Sequence, residues 1–123
     1  MGTSSQTPSS FRARQEARER NELSYQTTCA TQGLPQSSHI AVQATADAVL
    51  VTTTDISVLG DWLFVMEGSV TKTELPSGQT VWTLRTQTWT DSPAFPPVPV
   101  FVTVVLPSDE SVMQEIREAV KAA

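Results

Sequence analysis

The chain is short of the residue types on which most chemistry depends. Its one cysteine, Cys29, leaves no partner for a disulfide within the 123 residues, and an isolated thiol lacks the clustered ligands that zinc requires. A reducing, cytoplasmic setting is the expectation. The one histidine, His39, is the sole imidazole available to any base–nucleophile–acid triad, and beside Ile40 it reads as an ordinary strand-end residue. No G-x-S-x-G elbow surrounds a serine. The five glycines, at 2, 33, 60, 68 and 78, are too scattered to cradle phosphate. No apolar run approaches the ~18 residues of a membrane span, and the N-terminus is polar rather than signal-like.

Positive charge is also scarce, and unevenly placed. Residues 1–23 carry four arginines against three glutamates, a net +1, whereas residues 24–123 hold four basic against ten acidic side chains, a net −6. An acidic body without a basic patch repels phosphate backbones, so no nucleic-acid partner is expected. A partner steered by charge would present a basic surface.

Three aspartates, Asp47, Asp55 and Asp61, invite a cation site. Calcium loops, however, space their oxygen ligands every second residue around a glycine, and spacings of eight and six match no such loop. Asp47 and Asp55 instead flank the run "AVLVTTT", where Asp commonly ends strand pairing and accepts turn hydrogen bonds. Neither a metal nor any other cofactor is implied, and the chain reads as non-enzymatic.

The opening "MGTSSQTPSS" is too polar to offset the entropy of ordering. In "FRARQEARERNEL", Arg12–Glu16, Glu16–Arg20 and Arg18–Glu22 have helix-stabilising i,i+4 spacing, but the apolar face is thin. Residues 1–23 are therefore expected as a disordered or frayed-helical arm, and residues 24–123 as a single α+β domain. Within it "SYQTTCA", "HIAVQA", "AVLVTTT" and "DWLFVMEG" read as strands, with Ala46 and Asp47 a tight connection and residues 55–60 a loop. "SVTKTELPSGQTVWTLRTQTWT" reads as two arms about a Pro76/Gly78 turn. "DSPAFPPVP" is a stiff connector, and its formal P-x-x-P matches have no basic flank. "VFVTVVL" is apolar on both faces, the pattern of an interior strand. "PSDESVMQEIREAVKAA" is an amphipathic helix with Ser108 as N-cap and Val112, Ile116, Ala119 and Val120 on its apolar face. The expected fold is an antiparallel sheet of about six strands with this helix packed on one face.

Three tryptophans are many for so small a chain. On a period of two, Trp82 and Leu84 share one face of their strand, and Trp89 shares the other with Arg85 and Gln87. An exposed aromatic beside an arginine has the composition of an interface anchor, the alternative being that Trp89 tucks beneath the proline loop.

With these elements placed, the chain resembles the proteasome assembly chaperone 3 family over roughly residues 33–121. The resemblance is carried by the Gly33/Pro35 turn, an Asp-bounded strand (Asp47, Val49, Leu50, Val51, Thr54) and Gly60 with Leu63. It continues through "VWTLRTQTWTDSPAF", with Asp91 and Pro93, and the closing strand and helix. The family's helix between the acid–Pro loop and the last strand is replaced here by "FPPVP", so one sheet face must be covered by the N-terminal segment or by a partner. The resemblance implies a chaperone that pairs with a sibling subunit, as a dimer, and holds α-type proteasome subunits during ring assembly. Asp55, Ile56, Ser57, Val58 and Leu59, together with Arg85, Gln87 and Trp89, are the implied contacts. Rival readings are a self-assembling structural protein, such as an RNA-phage-type coat or a roadblock-like dimer module, and a small cone-shaped α+β enzyme with a buried carboxylate at Asp47, Asp55 or Asp61.

Overall fold

The computed structural model describes residues 8–90 and 96–122. The chain opens with α1 (Pro8–Gln32), and the "SYQTTCA" segment expected as a strand forms its last two turns. Packing overrides the β-type composition there. Tyr25, Thr28 and Cys29, at helical spacing, are buried, and the Thr28 hydroxyl is satisfied within the helix by donating to the Ser24 carbonyl at 2.8 Å. The first half of α1, by contrast, is mostly exposed, and Phe11 lies open to solvent.

A short hairpin follows, β1 (Ala41–Ala44) and β2 (Val49–Thr53), turned by Thr45, whose Oγ1 accepts from the amides of Asp47 and Ala48. Next comes the main departure from expectation. Residues 56–66, read as a loop and a strand, form the helix α2 (Ile56–Met66). Asp55 caps it, accepting from the Ser57 amide at 3.0 Å and the Ser57 hydroxyl at 2.6 Å. Val58, Leu59 and Trp62 then fall on one buried helical face.

The chain continues as a meander, β3 (Ser69–Glu74), β4 (Gln79–Gln87) and β5 (Pro99–Pro107), and closes with α3 (Gln114–Ala122). Ser108 does not cap α3, which begins six residues later; its hydroxyl instead lies 2.8 Å from Thr80 Oγ1.

The sheet has five strands in the order β1-β2-β5-β4-β3. It is mixed rather than antiparallel, because β2 runs parallel to β5 while all other neighbours are antiparallel. Two of the expected strands are helices, which is why the count is five and not about six. β5 is the central strand, as its two-sided apolar run implied.

All three helices lie on the same side of the sheet. Val49, Val51, Val70, Trp82, Leu84, Val100, Val102, Val104 and Leu106 point into them and are buried. Trp62 of α2 stacks on Tyr25 of α1, with ring centroids 5.7 Å apart, and α3 contributes the buried Ile116. A Cβ on Gly60 would lie 3.0 Å from Met113 Cε and 3.7 Å from Ile116 Cδ1, so the bare glycine lets α2 and the start of α3 approach closely.

Candidate functional site

Because strand side chains alternate, burying one set on the helices directs the other set outward. Among the described residues, no helix covers that second face. Its residues fall into cross-strand rows fixed by the pairing register. One row runs Gln43, Leu50, Phe101, Arg85, Ser69, and the next runs Ala41, Thr52, Thr103, Thr83, Thr71. Val105 and Val81 stand beside Thr73 in a third, and Pro99 with Gln87 extends the far end. Val81, Thr83, Phe101, Thr103 and Val105 are half-buried, whereas Arg85, Gln87 and Pro99 are exposed and Leu50 keeps 39 % of its surface open.

Two chemical features distinguish this face. None of the strand residues in these rows is acidic, and the one acid at their edge among the described residues is the exposed Glu67, which lines a surface depression with Ser69, Arg85, Gln87, Pro99 and Phe101. The one ionisable group within the rows is Arg85, whose guanidinium lies over the Phe101 ring, 5.7 Å from the centroid. The rest is neutral, threonines alongside Leu50, Phe101, Val81 and Val105. Such a surface shares the depletion of charge found in an interface core.

The residues expected as contacts divide between the two sides of the molecule. Arg85 and Gln87 lie on the uncovered face and are exposed. Trp89 stands just past the end of β4 with 42 % of its surface open, its amide donating to Thr28 Oγ1 at 3.1 Å. Of the proline connector expected beside it, residues 91–95 lie outside the described residues. Asp55 and Ser57 are exposed on the helix side, whereas Val58 and Leu59 are buried in the core and Ile56 packs against it, so the apolar members of that stretch hold the fold together. The row of threonines was not anticipated. Alternating Thr and Val in each strand was the only signal, and the register that aligns them is set by non-local pairing.

Chemistry elsewhere is sparse. Asp47, Asp55 and Asp61 are all exposed, so none is the buried carboxylate that the cone-shaped enzyme reading requires. No group of three or more His, Cys, Asp or Glu side chains among the described residues could hold a metal ion. Burial pushes the Tyr25 hydroxyl well above its usual range, with Cys29 adding to the effect, and burial likewise raises the Cys29 thiol. A thiol so placed is a weak nucleophile. No helix among the described residues is long and apolar enough to cross a membrane.

The Asp55 cap gives a pH-dependent test of α2. Hydrogen bonds from the Ser57 hydroxyl and amide hold the Asp55 carboxyl below its ordinary value. Its contribution to stability is therefore complete above the unfolded-state value of about 4 and fades as pH falls through the lower folded-state value. Asp55→Ala is expected to cost about 1 kcal/mol at pH 7 and less at pH 3, measured by urea unfolding at both pH values.

No protein-family model matches the chain, and neither a curated protein nor a solved structure shows significant similarity to it.

Proposed function

We propose that this chain is a non-enzymatic protein-binding module that pairs with a sibling subunit through the uncovered sheet face. One observation carries the reading: a five-stranded sheet with every described helix on one side and, on the other, strand rows rich in threonine that hold no acid among the described residues. A sheet face of neutral side chains around Leu50, Phe101, Val81 and Val105, in an otherwise acidic molecule, is suited to docking. In the specific form implied by the resemblance, the pair assists assembly of α-type proteasome subunits, with exposed Asp55 and Ser57 on the opposite side as contacts for them.

Size-exclusion co-elution of the full chain with purified α-type proteasome subunits tests the specific role, and a complex at micromolar concentrations is the expected result. Its absence overturns that role. Leu50→Arg and Val81→Arg test the face itself. Both are expected to weaken pairing by at least tenfold while the far-ultraviolet circular dichroism stays unchanged. Pairing that neither substitution affects overturns the proposed surface.

A further inference from the structure

The face described above fits a second copy of the same chain. We infer that two copies pack sheet against sheet across it, forming a two-fold dimer whose centre lies at Thr103. This rests on the protein-binding reading and names the sibling.

Three observations converge. The first is charge. The chain carries a net −5, and outside the arginine-bearing first half of α1 its acids populate the helix side, the turns and the rims, so approaches of one copy to another through those surfaces set carboxylates against carboxylates. The strand rows of the five-stranded face are the exception, holding no acid among the described residues, with Glu67 at one edge beside Arg85. A strongly basic partner, by contrast, finds no carboxylate in those rows to attract it.

The second is symmetry. β5 is the middle strand of five, and Thr103 is the middle of its nine residues. For two sheets packed with their strands nearly aligned, a two-fold axis in the interface plane through that point runs close to the strand direction or close to perpendicular to it. Along them, β2 of one copy faces β4 of the other, so Arg85 meets Leu50 and Phe101 meets Phe101. Across them, Arg85 meets Val81 and Phe101 meets Val105. Both follow from the pairing register, and neither brings Arg85 against Arg85. In both, Thr103 faces Thr103.

The third is area. Five strands about 4.8 Å apart and about 3.3 Å per residue along nine-residue central strands cover on the order of 500–700 Å² in plan. Two copies together remove about 1,000–1,400 Å² before the relief of the side chains is counted. That range clears the ~1,000 Å² expected of a specific interface. Paired sheets stack about 10 Å apart at roughly −30°, a spacing that Thr and Val side chains from both faces fill.

Sedimentation equilibrium of the purified full chain, with no other protein present, tests the inference. The expected result is a reversible monomer–dimer equilibrium. Thr103→Arg places two cations against each other on the axis and is expected to raise the dimer dissociation constant at least 100-fold. Thr83→Lys, in the adjacent strand on the same row, is expected to act in the same direction. Phe64→Ser, on the outer side of α2 where Phe64 is 89 % exposed, is expected to leave the equilibrium unchanged within twofold. Circular dichroism and melting of each variant confirm that the fold persists. A chain that stays monomeric at 0.5 mM overturns the inference, as does a dimer that Thr103→Arg and Thr83→Lys leave intact or a ladder of higher oligomers. A monomer that still co-elutes with α-type subunits separates failure of this inference from failure of the protein-binding reading.

Discussion

Trp62→Ala is expected to cost about 3–5 kcal/mol, the range for removing a large aromatic from a packed core. Trp62 is the largest fully buried side chain, and its ring stacks on Tyr25 with an interplanar angle of 12°. It is therefore the point at which α1, α2 and the sheet meet, and truncating it leaves a cavity that three elements must collapse to fill. Loss of an aromatic stack adds about 0.5–1.5 kcal/mol to the loss of buried area. Trp62→Phe makes the sharper test. The indole Nε1 is buried with no hydrogen-bond partner among the described residues, a burden of about 1–3 kcal/mol that phenylalanine does not carry. The phenyl ring keeps much of the stacking surface, so the net cost is expected to stay below about 1.5 kcal/mol. Urea unfolding monitored by circular dichroism compares the two. A Phe variant as damaged as the Ala variant would show that the shape of the indole, rather than apolar burial, holds the helices together.

The same stretch shows where sequence reasoning worked and where it failed. β5 was legible because "VFVTVVL" has no polar face, which only an interior strand tolerates. The β3–β4 hairpin was legible because Pro76 and Gly78 mark the turn between two alternating arms. α3 was legible from Ile116 and its neighbours at helical spacing, although its start was placed too early. α2 was not. "ISVLGDWLFVM" is apolar almost all round, with Phe64 on the outside, so a helical period of 3.6 does not stand out. Gly60 in its middle imitates a turn. What decides the helix is the Asp55 cap together with a core that takes Val58, Leu59 and Trp62 from one side, and the second of these is tertiary information.

The candidate site was legible in part for the same reason. Arg85 and Gln87 could be assigned to one side of their strand from the period of two alone. Which side would be left uncovered depended on where α1 and α2 would lie, and neither had been identified as a docked helix. The uncovered face follows once β2 pairs parallel with β5, because that pairing sets Leu50 beside Phe101 and Thr52 beside Thr103. A parallel neighbour separated by some fifty residues leaves no local trace in either strand.

Gly68→Ala is expected to destabilise the protein by on the order of 4 kcal/mol, lowering Tm by roughly 10–20 °C. Two effects add. Gly68 has φ of +137°, a backbone conformation that side chains with a Cβ rarely adopt. A Cβ there would also stand 2.3 Å from the Arg85 carbonyl oxygen, a backbone atom that cannot move without disturbing the β3–β4 ladder at Ser69–Arg85. Glu67, one residue earlier, supplies the contrast. It too has positive φ, 62° with ψ −172°, a region that non-glycine residues occupy at a cost of about 1–3 kcal/mol. Glu67→Gly relieves that strain, keeps the amide that donates to the Leu63 carbonyl at 3.0 Å, and is expected to be neutral or stabilising by up to about 1 kcal/mol. Opposite signs at adjacent positions separate a requirement for glycine at 68 from general intolerance in the α2–β3 connection. The turn also bears on the uncovered face, because Gly68 lets β3 begin directly against Arg85 and so helps hold that strand where its guanidinium lies over Phe101. A Gly68→Ala protein that melts within 3 °C of the parent would mean that α2 does not hand over to β3 by this close approach, and the row Leu50–Phe101–Arg85–Ser69 would lose its fixed end.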